Sequence, residues 1–582
     1  MPTSERNDAL GKVEPPVELE VVSPSPPEPT AGDFGWTVDV WLNLAALYLT
    51  YFSCVWAQGV PGNTLGFIMT AFPLETAPAP WIAGVGSLVL AVVSSFIGEL
   101  SDIFGRRNFL FFTACCGLAG LLISSRAHSV AVIIGGQTVT SMGFSVGYLT
   151  TPLIAEIVPK RSRSLVISAT ALLTGIVSIG GGLGMAAFMK YNVGGPNEGW
   201  RVGYYLGAAF FALSFALLFC YHPSKRPNPE GLSVLARLKK FDWVGILLAA
   251  ASLALLLVAL QMGGTQYPWR SAMIISLLTI GSVVLVVLCV WEAKVTSNPL
   301  IPRELFQHRN YGIGLAINFI EGVAAFGGLS FMSPIILNLL EPDFFMSGVY
   351  NLPSAAGTMI GAVVSAGVVY KTREVKWVAI VGCIGLTLSA GLMALIQPGI
   401  HYTAFFFPTI IMGMSIGVFA VLNPVIATIC TPNELVATSV TIGTSVRGLG
   451  GAIGIVMISN IFQTKITAYL PQKIGAAVAE AGFPLETIPQ VLAALGVGDI
   501  ASLMEIPGMS PAVLGTLTAA NKQAYADAYR FMWYSLIPIC VLTLISACFL
   551  KSTRDQLTED VAYAVQERHG HKSRGQDVEK EI

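Results

Sequence analysis

Long apolar runs broken by short polar stretches set the pattern of this chain. They cover residues 40–60, 80–97, 109–125, 130–154, 165–189, 202–220, 243–262, 272–291, 311–337, 349–370, 377–396, 402–430, 435–462 and 531–550. Each is near the roughly 20 residues that a helix needs to cross about 30 Å of hydrocarbon. A segment inside a bilayer must satisfy its own backbone N–H and C=O groups, so helix is the form these runs take. The expected fold is therefore all-α and polytopic, with about fourteen transmembrane helices.

Charge supports this count. Basic residues gather in alternate breaks: Lys160, Arg161 and Arg163; Lys225, Arg226, Arg237, Lys239 and Lys240; Lys294, Arg303 and Arg309; Lys371, Arg373 and Lys376. The opposite breaks hold only Arg126, Lys190, Arg201 and Arg270. Basic residues in short loops stay cytoplasmic, which places both termini on that side. Composition agrees, with 54% hydrophobic and 12% charged residues, against about 25% charged in soluble domains, and a mean hydropathy of +0.67. A net charge of −1 with no basic cluster outside these loops excludes a nucleic-acid partner. The nine cysteines lie nearly all within apolar runs and read as small buried side chains, neither a disulfide frame nor a metal site. Residues 1–39 are rich in Pro and Glu without an apolar core, as expected of a disordered cytoplasmic tail rather than a cleaved signal.

The most polar, compact break is Gly98-Glu99-Leu100-Ser101-Asp102-Ile103-Phe104-Gly105-Arg106-Arg107, between the second and third runs. Gly98 and Gly105 allow close backbone approach, and Asp102 can exchange charged hydrogen bonds with Arg106 and Arg107. The plain alternative is a loop that sets topology and nothing more. The stretch resembles the Gly-x-Leu-x-Asp-x-x-Gly-Arg-Arg signature of the major facilitator superfamily, departing from it at Ile103, where many members carry a basic residue. The resemblance implies two six-helix bundles that rock about a central site, with this turn as a cytoplasmic gate. It divides the chain into the tail 1–39, an N-terminal bundle 40–221, a cytoplasmic linker 222–242, an inserted helix pair with its loop 243–310, a C-terminal bundle 311–550 and a cytoplasmic tail 551–582.

Further motifs stand in order: Tyr221-His222-Pro223, Phe241-Asp242-Trp243-Val244-Gly245-Ile246, Gly263-Gly264-Thr265-Gln266-Tyr267-Pro268-Trp269 and Pro302-Arg303-Glu304-Leu305-Phe306. With these the chain resembles the fungal fourteen-helix drug:proton antiporter group. Ala481-Gly482-Phe483-Pro484, Ile506-Pro507-Gly508 and Ala524-Tyr525-Ala526-Asp527-Ala528-Tyr529-Arg530 narrow the likeness to the fungal trichothecene efflux pump family and its siderophore-transporter relatives. The segment 463–530 carrying them is interrupted by Pro471, Pro484, Pro489, Pro507 and Pro511 and predicts short amphipathic helices over the outer face.

Candidate chemistry lies inside the runs. Glu321 sits about ten residues into the ninth run, where facing lipid would cost an acid at least ~2.5 kcal/mol. It must face a cavity or a partner. Occlusion favours the neutral acid and hydration the carboxylate, which suits proton coupling. Arg447 in the thirteenth run keeps its charge and needs an anion, a carbonyl or water; pairing with Glu321 and snorkelling to the interface stand as alternatives. Glu156, Asp242 and Glu292 read as helix-end charges. The resemblance makes the first, fourth, ninth and twelfth helices the cavity lining, which singles out Asn43, Gln58, Gln137, Asn318 and Asn423, together with Asn338, as polar candidates, and Tyr48, Tyr51, Phe52, Trp56, Phe319 and Phe326 as an apolar wall. Each could equally bond or pack against a neighbouring helix. Two positions depart from antiporter patterns. Gln137 stands where many have an arginine, and Gly180, Gly181, Gly182 and Gly184 of the fifth run come without the usual proline, though they still predict close packing there. Both departures leave Glu321 as the expected proton carrier.

These features predict an efflux pump of the plasma membrane, or of a vesicular or vacuolar membrane, that exports a small apolar, oxygenated metabolite, toxin or drug. The expected energy source is a proton gradient, with no cofactor, no metal and no partner beyond lipid and substrate, and a monomer is expected. No phosphate-binding glycine loop and no catalytic constellation is present. Proton-coupled uptake of a ferric siderophore is the nearest rival. A non-transporting receptor is the second, and the short charged tail 551–582 disfavours it.

Overall fold

A computed structural model of the chain describes residues 37–72, 75, 79, 81–195, 198–222, 238–239, 241–264, 266–296, 299–340, 343–432, 435–480, 510–554 and 556. Fourteen helices among them are long and apolar enough to cross a membrane: α1 (Val38–Leu65), α2 (Gly84–Phe104), α3 (Arg106–Ser125), α4 (Val130–Ile157), α5 (Lys160–Lys190), α6 (Gly199–Cys220), α7 (Trp243–Met262), α8 (Ala272–Val295), α9 (Arg309–Leu340), α10 (Phe345–Thr372), α11 (Lys376–Met393), α12 (Tyr402–Ile429), α13 (Val436–Glu480) and α14 (Pro511–Cys548). Most of the expected tails 1–39 and 551–582 and most of the linker expected at 222–242 lie outside the described residues.

Helices α1–α6 enclose one apolar core, with Leu47, Trp56, Phe144, Trp200, Tyr204 and Phe211 among its buried members. Helices α9–α14 hold two larger ones and a small one where Ile466 of α13 meets Ala524 and Ala528 of α14. On the face that carries the basic loops, Tyr311, Phe419, Leu422 and Val425 of the C-terminal bundle share a core with Ala155, Ile167 and Ala171 of the N-terminal bundle. Toward the far face, Met332, Phe405, Met412 and Trp533 pack among C-terminal helices alone. Apolar packing thus joins the bundles on the basic face. The seam runs along α2 against α13 and α5 against α10.

The inserted helices differ from one another. Helix α8 turns Ile275, Ile280, Val283, Val286 and Val290 outward, each about half exposed, as a lipid-facing helix does. Helix α7 lies between α8 on one side and α2 and α13 on the other.

Several elements depart from the expected pattern. Helix α4 breaks after Gly147 and resumes at Thr150. Pro152 has no N–H for the Tyr148 carbonyl, which accepts from Thr151 N at 3.3 Å instead. The segment 463–530 does not open with short helices. Helix α13 runs unbroken for 45 residues through Pro471 to Glu480, about 68 Å at 1.5 Å per residue, and α14 begins at Pro511. These overhangs hold each other straight: Phe462 stacks on Tyr529 with ring centroids 4.7 Å apart, and Lys473 lies 3.2 Å from Asp527. Residues 481–509 lie outside the described residues. In α5, a methyl added at Gly180, Gly182 or Gly184 would meet nothing within 4 Å, and one at Gly181 would meet Asn63 at 3.3 Å; α5 approaches α10 at Gly175, against Met359, and at Gly182, near Gly348.

Candidate functional site

Helices α9 and α13 cross at nearly bare backbone. A methyl group added at Gly450 or Gly454 would fall on the carbonyl oxygens of Phe319 or Val323, and one at Gly322 on that of Arg447. Such small-residue crossings bring helix axes close, and this one sets Arg447 opposite Glu321. The guanidinium grips the carboxylate with both edges, Nε to Oε2 at 2.7 Å and Nη2 to Oε1 at 3.0 Å. Glu321 has no exposed surface, while the Arg447 side chain keeps 28% of its own. The guanidinium carbon also stands 5.0 Å from the centre of the Phe326 ring.

The arginine faces a small cavity of about 100 Å³ toward the basic face, where Tyr51, Tyr148, Asn318 and Asn423 join it. Asn423 brings both amide atoms, and Asn318 its carbonyl oxygen, to buried positions without a hydrogen-bond partner in the protein. Unpaired buried amides are costly, so this capacity is directed at whatever fills the cavity. Local backbone chemistry shapes the wall: Pro424 removes the helix's own donor to the Ala420 carbonyl, and Ala420, Asn423 and Pro424 all line the space.

Toward the far face, the other side of Phe326 belongs to a cavity of about 1320 Å³ between the bundles. Its polar lining includes Gln58, Gln137, Gln261, Gln266, Ser459 and Asn460, and its apolar lining Trp81, Phe144, Leu257 and Phe326; among the described residues no Asp, Glu, Lys, Arg or His lines it. The two cavities are linked by one hydrogen bond, in which Tyr148 Oη donates to Gln58 Oε1 at 2.8 Å. The break in α4 therefore matters, because it carries Tyr148.

On the basic face, the 98–107 turn builds a charged knot. Arg106 Nη1 bonds Glu156 Oε2, Nη2 bonds Glu156 Oε1 at 2.8 Å, and Nε bonds Asp102 Oδ1 at 3.2 Å. This joins the ends of α2, α3 and α4. Arg107 donates to the Phe219 carbonyl at 3.0 Å, which adds α6. Gly98 abuts Thr438 and Thr441 at the start of α13, where a side chain would collide with backbone. Gly105 takes φ = 90° to open α3, a conformation suited to glycine. Across the seam, Arg163 Nη1 donates to the Thr428 carbonyl at 2.8 Å, Ser445 Oγ to that of Ala91 at 2.6 Å and Ser164 Oγ to that of Ala366 at 3.2 Å.

The structure thus sets Arg447, Asn318 and Asn423 around one cavity, with Glu321 behind Arg447, and Gln58 and Gln137 on the other. Gln137 Nε2 also donates to Ser124 Oγ of α3 at 3.3 Å. Asn43 is elsewhere. It is 1% exposed and closes a reciprocal pair with the His222 backbone, Nδ2 to O at 3.1 Å and Oδ1 from N at 2.8 Å. Asn338 likewise bonds Tyr529 Oη at 2.9 Å. Asp242 caps α7 through Gly245 N and receives Trp291 Nε1, each at 2.8 Å. Tyr148 and the α7 residues were not among the sequence candidates; Pro152, four residues on, is the signal for the first, and Gln261 beside the Gly263–Trp269 motif the signal for the second.

A sequence model described as the fungal trichothecene efflux pump matches residues 80–580. The efflux pump FUS6 of Gibberella moniliformis is 25% identical over 571 residues, 96% of this chain and 96% of the relative. The trichothecene efflux pump TRI12 of Fusarium sporotrichioides is 23% identical over 499 residues, 83% of this chain and 81% of the relative. Among solved structures, the proton:xylose symporter XylE of the major facilitator superfamily superposes with a TM-score of 0.52 at 13% identity, covering 90% of this chain and 98% of that one. An inward-facing bacterial homologue of the human lysosomal transporter Spinster gives 0.53 at 16% identity, covering 88% and 98%. Both structural likenesses concern the fold.

Proposed function

Because the chain belongs to the fungal trichothecene efflux pump family of the major facilitator superfamily, we propose that this transporter exports a neutral, oxygen-bearing apolar metabolite across the plasma membrane in exchange for protons. The buried Glu321–Arg447 pair carries the reading. An acid without exposed surface, bonded through both oxygens to a cation that borders a cavity, can work as a two-state switch. As a carboxylate it holds the guanidinium. On taking a proton at one oxygen it loses the charge that held it, and Arg447 turns to the small cavity, where Asn318, Asn423 and Tyr148 offer acceptors.

The basic face is the cytoplasmic one in this reading, and the seam contacts of Arg163, Ser164 and Ser445 close it. The larger cavity then faces outward, and its uncharged lining fits release of a neutral molecule. A proton entering from outside neutralises Glu321, and its exit to the cytoplasm restores the pair for the next cycle. The knot of Asp102, Arg106 and Glu156, with Gly98 and Gly105, acts as the gate on the cytoplasmic side, tightening or releasing as α2 moves against α13.

The test is the Glu321→Gln variant in proteoliposomes. Glutamine keeps the size and polarity but carries no titratable proton, so flux down a substrate gradient persists while stimulation by an imposed pH gradient is lost. Proton-driven flux within about twofold of wild type would sink the assignment. In the fungus, deletion of the gene should leave the metabolite inside the cell and deplete it outside; a ferric chelate left unconsumed only under iron shortage would replace export with uptake.

A further inference from the structure

The helix pair α7–α8 is additional to the two six-helix bundles, and nothing derived above gives it a task. We propose that α7 and the α7–α8 turn form one wall of the substrate site, reading a neutral oxygen-bearing ligand through Gln261, Gln266 and Tyr267. This inference rests on the efflux reading and specifies its substrate contacts.

Four observations carry it. First, Leu257, Leu260 and Gln261 fall on one helical face by their i, i+3, i+4 spacing, and all three line the large cavity, as do Gln266 and Tyr267 from the turn. Second, this wall is seated on both bundles. The Gln261 amide lies against Gly84 of α2, where an added methyl would come within 2.6 Å of Nε2. Trp269 Nε1 donates to Asn460 Oδ1 of α13 at 3.3 Å. The pair therefore bridges α2 and α13 on the far side.

Third, the turn is built to hold its shape. Gln266 N and Tyr267 N both donate to the Met262 carbonyl, at 3.0 and 3.1 Å, and Gly264 N donates to the Tyr267 carbonyl at 2.9 Å. Gly264 takes φ = 75°, which glycine adopts without strain. The indole of Trp269 lies over Gly263, where any side chain would strike the ring. The Gly263–Trp269 motif thus serves to present Gln266 and Tyr267 at a fixed position. Fourth, the cavity chemistry selects the ligand. Gln58 and Gln137 from α1 and α4 line the same space as Gln261 and Gln266, and among the described residues no acidic or basic side chain lines it. Amides both donate and accept, so they suit hydroxyl, ester and ether oxygens on an apolar frame, and the absence of charge disfavours organic ions.

The experiment compares a trichothecene bearing free hydroxyl groups with its fully acetylated analogue, as competing probes of the full-length transporter in proteoliposomes. Losing one neutral hydrogen bond changes affinity by about 2- to 10-fold. Wild type should distinguish the two probes by about fivefold or more in KM. In Gln261→Leu/Tyr267→Phe the KM ratio should fall to within about twofold, because the free-hydroxyl probe loses more than its acetylated analogue. A purely structural role would raise KM for both probes alike and leave the ratio, which overturns the proposal. Unchanged KM values in the variant also overturn it while leaving efflux standing. If wild type moves neither probe, the reading of this cavity as a site for such neutral oxygen-bearing substrates falls, and the wall with it. Gln266→Ala, in the exposed turn, gives the same readout should the helix variant fail to assemble.

Discussion

A guanidinium that cannot shed its proton, fixed beside a carboxylate with no exposed surface, makes the two residues stand or fall together. Removing one partner of such a pair leaves an uncompensated buried charge, which costs about 3–5 kcal/mol, whereas replacing both with neutral groups is often close to neutral. Arg447→Met should therefore lower the unfolding midpoint of the purified protein markedly, and Glu321→Gln/Arg447→Met should recover most of the loss. Thermal unfolding of the two single variants and the double variant makes the cycle; additive losses would show that the pair is not coupled. The same residues mark how far sequence could be read. Depth in an apolar run made Glu321 and Arg447 candidates, but their pairing depends on the register between α9 and α13. Asn43 and Asn423 look alike as isolated polar residues in apolar runs. One is consumed by the His222 backbone and the other borders a cavity, a distinction that lies wholly in neighbours remote along the chain.

At the scale of elements, register comes from glycine. The α9–α13 crossing needs bare backbone at Gly450 and Gly454, so Gly454→Val should push the helices apart at a cost of about 1–3 kcal/mol. The displacement also lengthens the path between Glu321 and Arg447. The expected result is a lower melting temperature together with weakened proton-driven transport, and a variant that retains both would mean the crossing has slack. Helix count and span were legible because a run of about 20 apolar residues has a single solution in lipid. What happens beyond the span was not. Proline argued for short pieces over 463–530, but Pro471 is accommodated within α13, because neighbouring side chains of α14 hold the two overhangs together. Nor did hydropathy separate α7 from α8, since both are apolar all round; only packing shows α8 turned to lipid and α7 turned to the cavity.

The whole molecule is held closed on its basic face by few polar ties, and Arg163 is the one that reaches farthest. It has no exposed surface; Nε donates to the Ala155 carbonyl at 2.9 Å near the end of α4, and Nη1 to the Thr428 carbonyl at 2.8 Å near the end of α12. Carbonyls in the last turn of a helix have no donor within it, so one cation serves both bundles at once, with the negative ends of two helix dipoles toward it. Arg163→Met keeps the length and removes the donors. Both carbonyls are then buried without partners, and separation of the bundles hydrates them. The desolvation of the guanidinium, which closure also costs, disappears in the variant and offsets part of the loss. A charged hydrogen bond contributes about 1.5–3 kcal/mol net, so the closed-to-open ratio should fall by about tenfold or more. Spin labels at Lys160→Cys and Lys371→Cys, at the basic-face ends of α5 and α10, report the separation in a background lacking Cys115, Cys289 and Cys548. A longer-distance population appearing with Arg163→Met is the expected outcome, accompanied by faster exchange of substrate from the basic side. An unchanged distance distribution would mean that guanidinium desolvation cancels its bonds, and that the shared apolar core around Ala155, Ile167 and Phe419, with the Ser164 and Ser445 bonds, keeps the seam shut.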